Sequence, residues 1–426
     1  MSQPFGIISM HPGSLLDADE LEAVTGGYLR VLEAQGGKRL PDGPSATDGE
    51  PLFLLVATGG SEEVILKWWE NRAGTSAGDP LFLIAHPGNN SLPAALEVLA
   101  RLQQDGAPGR IFYLKGPDDE AGLREISDAV HDFSVQRALR QARIGLVGAP
   151  SNWLVASSPD ASTIRAVWGP TIVPIEMDEV VQFLETITDA ELAPHVDALV
   201  AGAIEVREPS TSDLREVGRV YLALKRIVTT HRLEALTVRC FDLVLNQRTT
   251  GCFALAQLTD DGVIAGCEGD LVSTIGLMWA HQLLGATPWM ANPAQLDSEN
   301  NTLWLAHCTV PRTLVERYRL RSHFESGLGV GIQGTFPPGP ATLLRIGGAG
   351  MDRLWLAEGE ILRPGDAENL CRTQVEIQLT TGGTVTDLLR APLGNHVVVV
   401  SGHHLVRLRR WHEGQISHDR IATEGN

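Results

Sequence analysis

An alternation of short apolar segments with longer amphipathic ones runs through the first third of the chain and constrains the fold more than any other feature. Residues 18–34 repeat their apolar side chains with the period of a helix. Apolar runs of strand length lie around it, at residues 5–10, 52–57, 81–85 and 111–114. Strands that alternate with helices predict βαβ units around a parallel sheet. We therefore expect an α/β domain at residues 1–142.

The same pattern continues to about residue 286 and then changes. An apolar run at residues 144–147 begins a second series of strands and helices, which predicts a central α/β domain at residues 143–286. Beyond it, short apolar runs alternate with Gly- and Pro-containing turns, which is typical of a β-rich domain. The sequence therefore predicts two Rossmann- or flavodoxin-like α/β domains followed by a β-rich, barrel-like domain at residues 287–426.

Composition and charge narrow the possible functions. The 426 residues include 34 Lys and Arg against 52 Asp and Glu, and the formal net charge of −18 disfavours nucleic acid as a partner. The sequence has no apolar run of about 20 residues for a membrane span, and no basic segment like that of a signal peptide. Its five cysteines form no C-x-x-C motif, which disfavours a disulfide framework or a structural zinc site. We expect a cytoplasmic protein that acts on a small molecule.

Two turn-rich loops follow the middle strands of the first domain. One contains Gly59 and Gly60, and the other contains His86, Asn89 and Asn90. Loops at the carboxyl ends of parallel strands are where open α/β sheets bind ligands, so these residues are candidates for substrate binding. A helix N-cap followed by a turn explains the same residues equally well.

Two carboxylates lie between an apolar strand and an apolar helix in the central domain. Glu268 and Asp270 follow the run at residues 263–267 and precede the helical residues 271–284. A carboxylate at this place can point into the ligand crevice. The alternative is structural, with Asp270 capping the helix and Glu268 in solvent.

Two histidines lie in or next to the predicted strands of the third domain, His307 in Leu-Trp-Leu-Ala-His-Cys and His396 in Gly-Asn-His-Val-Val. A lone histidine beside an apolar strand is more often structural than functional. Neutral imidazoles together with a carboxylate do, however, form a good ligand set for Mn²⁺ or a similar divalent ion. Spacing alone does not bring Glu268, His307 and His396 together.

Several of these segments resemble the L-fucose and L-arabinose isomerase family. Glu268-Gly269-Asp270, with a helix that ends in His-Gln-Leu-Leu-Gly at residues 281–285, is similar to the stretch whose glutamate binds the metal. The Asn-His segment at Asn395 and His396 resembles the one that carries a histidine ligand, and His307 matches the extra histidine ligand of the arabinose branch. The strand at residues 239–242 resembles the strand that enters the site.

The resemblance implies a divalent ion, Mn²⁺ or else Mg²⁺ or Co²⁺, held by Glu268, His307 and His396. One position departs from the family. The relatives place a second acidic ligand just beyond the His-Gln-Leu helix, where this chain has Asn292. An amide oxygen can bind a metal but cannot act as a base, so Asn292 is a candidate ligand only.

The activity implied is the interconversion of an aldose and a ketose through a cis-enediol, on an open-chain monosaccharide. Glu268 is the first candidate for the base, Asp270 and Glu325 are alternatives, and Asn395 is a further candidate for binding the sugar. Two other functions stay open: an isomerase or epimerase for a modified sugar, acidic or sulfonated, and a catalytically silent sugar-binding relative. The resemblance also implies a symmetric homo-oligomer, a trimer or hexamer, in which a neighbouring subunit completes the site.

Overall fold

The structure is a computed structural model that describes residues 3–41, 49–72 and 79–423, with side chains described as far as residue 414. Contacts within the chain separate two compact units, one of residues 1–137 with 411–426 and one of residues 138–410. Each unit is described in turn. Among the described residues, no helix combines the length and the apolar character needed to cross a membrane.

The first unit is built around a five-stranded parallel sheet in the order β2-β1-β3-β4-β5. Its elements are β1 (Phe5–Met10), α1 (Ala18–Ala34), β2 (Gly37–Arg39), β3 (Leu52–Val56), α2 (Glu62–Arg72), β4 (Leu81–Ala85), α3 (Ser91–Gln104), β5 (Gly109–Tyr113) and α4 (Glu120–Gln141), whose last residues belong to the second unit. β3 and β4 are buried along their whole length, as expected for the centre of a parallel sheet.

The second unit begins with a four-stranded parallel sheet in the order β10-β9-β6-β7. Its elements are β6 (Arg143–Val147), α5 (Ala161–Val167), β7 (Thr171–Ile175), α6 (Met177–Thr186), α7 (Asp189–Gly202), β8 (Glu205–Val206), α8 (Thr211–His231), β9 (Ala235–Val238), α9 (Cys240–Gln247), α10 (Cys252–Asp260), β10 (Ile264–Cys267) and α11 (Leu271–Leu284). α11 is buried along nearly its whole length, so it is a core helix.

A closed antiparallel barrel of six strands follows, in the order β11-β12-β17-β16-β15-β18. The remaining elements are β11 (Trp289–Asp297), β12 (Thr302–His307), a 3-10 turn (Arg312–Leu314), β13 (Arg317–Arg321), β14 (Gly331–Thr335), β15 (Gly339–Gly347), β16 (Arg353–Pro364), β17 (Thr373–Gly382), α12 (Val385–Arg390), β18 (Val397–Ser401) and α13 (Leu405–Thr423), which continues into the first unit. β8, β13 and β14 form a separate small sheet.

The register of three barrel strands aligns distant parts of the chain. Ala291 in β11 pairs with Val397 in β18, and Asn292 pairs with Ala306 in β12. The residue before β18 and the last residue of β12 therefore lie at the same end of the barrel as Asn292. One face of α11 packs against this barrel at Gly276, where an added Cβ would lie 3.3 Å from side chains of β15 and β18.

The architecture confirms the predicted α/β regions and the β-rich, barrel-like region near the C-terminus. Two parallel sheets occupy the first two predicted domains, and the change to antiparallel pairing comes with β11, which begins at Trp289. The finer Rossmann- or flavodoxin-like assignment and the domain boundaries at residues 142 and 286 stay predictions.

Candidate metal-binding active site

The carboxyl ends of three neighbouring parallel strands of the second unit contribute to one cavity. β6, β9 and β10 lie side by side, and the residues after them include Trp153, Cys240 and Glu268, which line the cavity. Ligand sites form at this edge because the loops that follow parallel strands all emerge there. The cavity measures about 700 Å³, which is enough for a monosaccharide and an ion.

Glu268 is held in an unusual backbone conformation at the end of β10. Its φ of 64° lies in the left-handed region, and the φ of Gly269 is 74°. The backbone N–H of Ser151 donates to the Glu268 carbonyl at 2.9 Å, and the Trp153 indole N–H donates to Oε2 at 2.6 Å. A non-glycine residue in this region is strained, and these contacts hold it in place.

The barrel brings two histidines to this carboxylate. His307 ends β12 and His396 immediately precedes β18, at the barrel end already described. Nε2 of His396 lies 3.5 Å from Oε1 of Glu268, and the two imidazole rings are 5.6 Å apart at 71°. One donor atom from each of Glu268, His307 and His396 lies within 4.8 Å of the other two. The structure thus brings together the three residues that the family resemblance implies as ligands.

A buried charged network orients His396. Its Nδ1–H donates to Oδ2 of Asp270 at 2.9 Å, and Asp270 is completely buried. Ser273 donates its backbone N–H and its hydroxyl to the same carboxylate at 2.8 and 2.7 Å, which makes Asp270 the N-cap of α11. Arg345 lies 3.3 Å from this carboxylate and donates to Ser157 at 2.6 Å. Asp270 therefore both caps the helix and fixes the imidazole.

The protonation of the two histidines differs because their surroundings differ. Burial, and then the charge of His396, lower the pKa of His307 to about 4, so this imidazole is neutral. Burial also opposes a charge on His396, but Asp270 and Glu268 outweigh it and raise the pKa of His396 to about 9. Glu268 is itself half-buried, yet His396 and Trp153 keep the pKa of its carboxyl below the usual range.

The donor set fits a divalent cation. Nε2 of His396 is buried and has no hydrogen-bond partner within the described part of the chain, although it faces the Glu268 carboxylate. Nδ1 of His307 is 2.8 Å from the hydroxyl of Thr309, which leaves its other ring nitrogen as a ligand. The electrostatics that keep a proton on His396 also favour a cation between two imidazoles and a carboxylate. His396 with Asp270 has the arrangement of a ligand histidine and its supporting carboxylate.

Other predicted residues lie around this centre. Asn292, Asn395 and Glu325 line the cavity, and Glu325 is exposed at its edge. Asp270 is completely buried, where its carboxylate is bonded to His396, Ser273 and Arg345. The roles assigned to these residues stay predictions.

The predicted substrate-binding residues of the first unit form a cluster of their own. The Gly59 N–H donates to the Asn89 carbonyl at 2.7 Å, and Asn89 and Asn90 have φ values of 54° and 57°. Gly60 is also in a left-handed conformation. His86 is buried, with Nε2 3.2 Å from the Ala57 carbonyl and Nδ1 accepting the Gly88 N–H at 3.2 Å. Both nitrogens of His86 are therefore occupied within this unit, and its role in binding stays a prediction.

Sequence reasoning missed two residues of the site. Trp153 lies in the turn after β6, and the only signal for it was that β6 is a parallel strand whose loop emerges at the same edge. Arg345 lies in β15, where one arginine interrupts an apolar run, which is a signal for a buried ion pair.

Comparisons with known proteins support an enzyme of the sugar isomerase type. No protein-family model matches the chain. The sulfoquinovose isomerase of Priestia megaterium (strain ATCC 12872 / QMB1551) is 22% identical over 312 residues, which cover 70% of this chain and 69% of that protein. The sulfoquinovose isomerase of Clostridium sp. (strain MSTE9) is 23% identical over 304 residues, covering 68% and 66%.

A third relative, the sulfoquinovose isomerase of Alkalicoccus urumqiensis, is 20% identical over 298 residues, covering 68% of this chain and 67% of that protein. These relatives support an intramolecular oxidoreductase, a sugar ketol-isomerase. The closer assignment to the L-fucose and L-arabinose isomerases stays a prediction.

Proposed function

We propose that this chain is an aldose–ketose isomerase that acts on a sulfonated monosaccharide, with sulfoquinovose as the first substrate to test. The convergence of Glu268, His307 and His396 carries the proposal, because it places a carboxylate and two imidazoles within reach of one ion beside a cavity that Glu268 and His307 line. The substrate class comes from the shared name of the relatives, which agrees with the modified-sugar alternative better than with an unmodified aldose.

The residues that would hold the cation are Glu268, His307 and His396, and Asn292 in the same cavity is a further candidate. When bound, a divalent ion such as Mn²⁺ supplies Lewis acidity that polarises the sugar carbonyl and stabilises negative charge on its oxygens. Asp270 contributes by fixing the ring of His396 through Nδ1, which leaves Nε2 directed at the centre.

Glu268 is our proposed base. Its carboxylate is ionised at neutral pH, and the Trp153 indole N–H fixes Oε2. The carboxylate removes the proton from C2 of the open-chain aldose and returns it to C1, while a proton moves between the two hydroxyl oxygens of the cis-enediol. The carbon proton transfer alone typically contributes about 10²- to 10⁴-fold to the rate. Glu325 at the edge of the cavity is the alternative base.

Isotope exchange in D₂O tests the proposal. The purified protein with added Mn²⁺ is incubated with sulfoquinovose, and NMR follows ketose formation and deuterium at C1 and C2. We expect conversion with Mn²⁺ and its loss after chelation. His396→Ala should be inactive, whereas Gln295→Glu, on an exposed part of β11, should be active.

Parallel incubations with neutral aldoses, including L-fucose and L-arabinose, determine the substrate class. Faster turnover of a neutral aldose than of sulfoquinovose would overturn the sulfonated-sugar assignment and leave the isomerase. Binding without exchange at any carbon would instead make the chain a silent sugar-binding relative. Activity that is unchanged by exhaustive chelation would contradict the proposed dependence on a metal ion.

A further inference from the structure

A second group of metal-type ligands lies in the same cavity and takes no part in the proposed reaction. It consists of Cys252, Cys308 and His323, which are all buried, and one donor atom from each lies within 4.8 Å of the other two. These residues and Cys371 line the cavity that Glu268 and His307 also line. The chemistry of this second group differs from that of Glu268, His307 and His396, since two of its three donor atoms are sulfur.

Three separate elements bring these ligands together. Cys252 is the first residue of α10, Cys308 directly follows β12, and His323 follows β13. The ligands are therefore far apart in sequence and form none of the short spacings by which zinc sites are recognised. For this reason the absence of a C-x-x-C motif led to the opposite expectation at the sequence level.

The surroundings support these side chains as ligands. Nδ1 of His323 is 3.1 Å from the hydroxyl of Ser326, so the ring is oriented through one nitrogen and can offer the other. The backbone N–H of Arg372 donates to Sγ of Cys308 at 3.4 Å, a contact that stabilises a metal-bound thiolate. Cys371 lines the same cavity as Cys308 and provides a further sulfur there.

The dimensions match a small tetrahedral ion. With metal–sulfur bonds of about 2.3 Å and metal–nitrogen bonds of about 2.0 Å, tetrahedral ligands lie roughly 3.5–3.8 Å apart. Donors that are already within 4.8 Å of one another need to close by about 1.3 Å at most to reach these separations. Side-chain rotation can supply that much without movement of the strands.

We propose that Cys252, Cys308 and His323 form a second metal site, for a thiophilic divalent cation of the Zn²⁺ class, beside the Glu268 centre. The two ligand sets differ in softness: thiolates with an imidazole favour Zn²⁺ strongly over Mn²⁺, whereas a carboxylate with two imidazoles also accepts Mn²⁺. The sites are linked through the chain, because His307 and Cys308 are consecutive residues that serve different ions. Zn²⁺ therefore has a place in this cavity that does not require it to displace Mn²⁺.

Cobalt absorption tests the site without relying on catalysis. The chelator-treated protein is titrated with Co²⁺, which reports thiolate ligands through an intense charge-transfer band in the near ultraviolet. We expect this band together with the visible bands of tetrahedral Co²⁺, and one equivalent of Zn²⁺ should remove both. Mn²⁺ at the same concentration should leave them in place.

Matched variants locate the ion. Cys308→Ser and His323→Gln should each weaken Zn²⁺ binding by more than about 100-fold, since even an outer-shell partner is worth about 10- to 100-fold. Cys240→Ser changes a thiol of the same cavity that lies outside the cluster, and it should keep the cobalt bands. Glu268→Gln should also keep them, because it alters only the other site.

Two results would overturn the proposal. One is a wild-type protein that binds Co²⁺ without a charge-transfer band, which would make the group a hydrogen-bonded thiol cluster. The other is a band that persists in the Cys252→Ser/Cys308→Ser double variant. Circular dichroism checks folding, and if the serine variants unfold, His323→Gln decides the question by Zn²⁺ affinity alone.

Discussion

At the scale of single residues, Glu268 combines a strained backbone conformation with hydrogen bonds that fix both its main chain and its side chain. A left-handed backbone costs a non-glycine residue roughly 1–2 kcal/mol, and the fold accepts this cost at the residue we propose as base. Its main chain is fixed by Ser151 and its side chain by Trp153, so the carboxylate faces His396 in a single orientation. Such preorganisation is what a proton transfer with fixed geometry requires.

Glu268→Gln tests whether this carboxylate is the base. The amide keeps the size of the side chain and an oxygen for the Trp153 N–H, but it cannot accept a proton from carbon. We expect kcat to fall by about 10²- to 10⁴-fold, measured with the D₂O exchange assay at saturating Mn²⁺. Glu325→Gln is the matched control and should lose less than about tenfold. A larger loss in Glu325→Gln than in Glu268→Gln would transfer the role of base to Glu325.

The opposite pKa shifts of His307 and His396 predict a pH at which the metal-free protein is most stable. The pKa of His396 rises from 6.5 to about 9 on folding, so its stabilising effect is complete below pH 6.5 and lost as the pH rises through 9. The pKa of His307 falls to about 4, so its contribution is present above pH 6.5 and lost as the pH falls through 4.

The free energy of unfolding in urea, measured after chelation from pH 4 to 9.5, should therefore be highest near pH 6.5. The alkaline loss is on the order of 3 kcal/mol for a shift of this size. His396→Gln should remove the alkaline slope and leave the acid slope. If the alkaline slope is unchanged in that variant, the loss of stability at high pH comes from the titration of another group.

At the scale of elements, the turn between β10 and α11 depends on Gly269. Its φ is 74°, and a Cβ there would lie 2.5 Å from the Ala149 carbonyl oxygen and 2.8 Å from the Cα of Pro150. Both neighbouring atoms belong to the backbone and cannot rotate away. A side chain at this position must therefore move the turn that carries Glu268.

Gly269→Ala should lower the free energy of unfolding by roughly 2–4 kcal/mol, from left-handed strain and the backbone clash together. It should also reduce activity strongly. Gly262→Ala is the matched control, since Gly262 has a φ of 89° and nothing within 4 Å of an added Cβ. It should cost roughly 1 kcal/mol and leave kcat intact. Equal effects of the two substitutions in urea unfolding would show that the contact with Ala149 is unimportant.

Sequence periodicity explains part of this element-level structure. Glu268 could be placed at a ligand-binding edge because it follows an apolar strand and precedes a helix. His307 and His396 could be placed in or beside strands, but not beside each other, because barrel register depends on packing and turn geometry across the whole barrel. The contact between His396 and Asp270 joins residues 126 positions apart, and no local pattern encodes it.

At the scale of the whole molecule, the sequence predicted the classes of structure better than the grouping of elements. Local period distinguishes α/β segments from a series of strands between turns, so a β-rich region after the α/β regions could be predicted. The return of the chain to the first unit at Trp411 could not be predicted from the sequence, because it depends on long-range contacts. The homo-oligomer, as a trimer or hexamer, likewise stays a prediction, since the surfaces of neighbouring subunits leave no periodic signal.

The net charge of the molecule predicts how salt affects catalysis. A sulfonated sugar is an anion, and a chain of formal charge −18 repels it at long range. The Debye length falls from about 30 Å at 0.01 M salt to about 8 Å at 0.15 M, so added salt should screen this repulsion and leave contacts in the cavity nearly unchanged. We expect kcat/KM for sulfoquinovose to rise by about two- to fivefold over this range with kcat constant.

A neutral aldose provides the matched control, because it has no charge for the protein to repel. Its kcat/KM, measured in the same buffers with saturating Mn²⁺, should stay flat. A fall in kcat/KM for the sulfonated sugar would mean that a positive field at the entrance dominates over the net charge, so that salt screens attraction instead. Because kcat is measured separately from kcat/KM, an effect of salt on the bound complex can be distinguished from an effect on the association of enzyme and substrate.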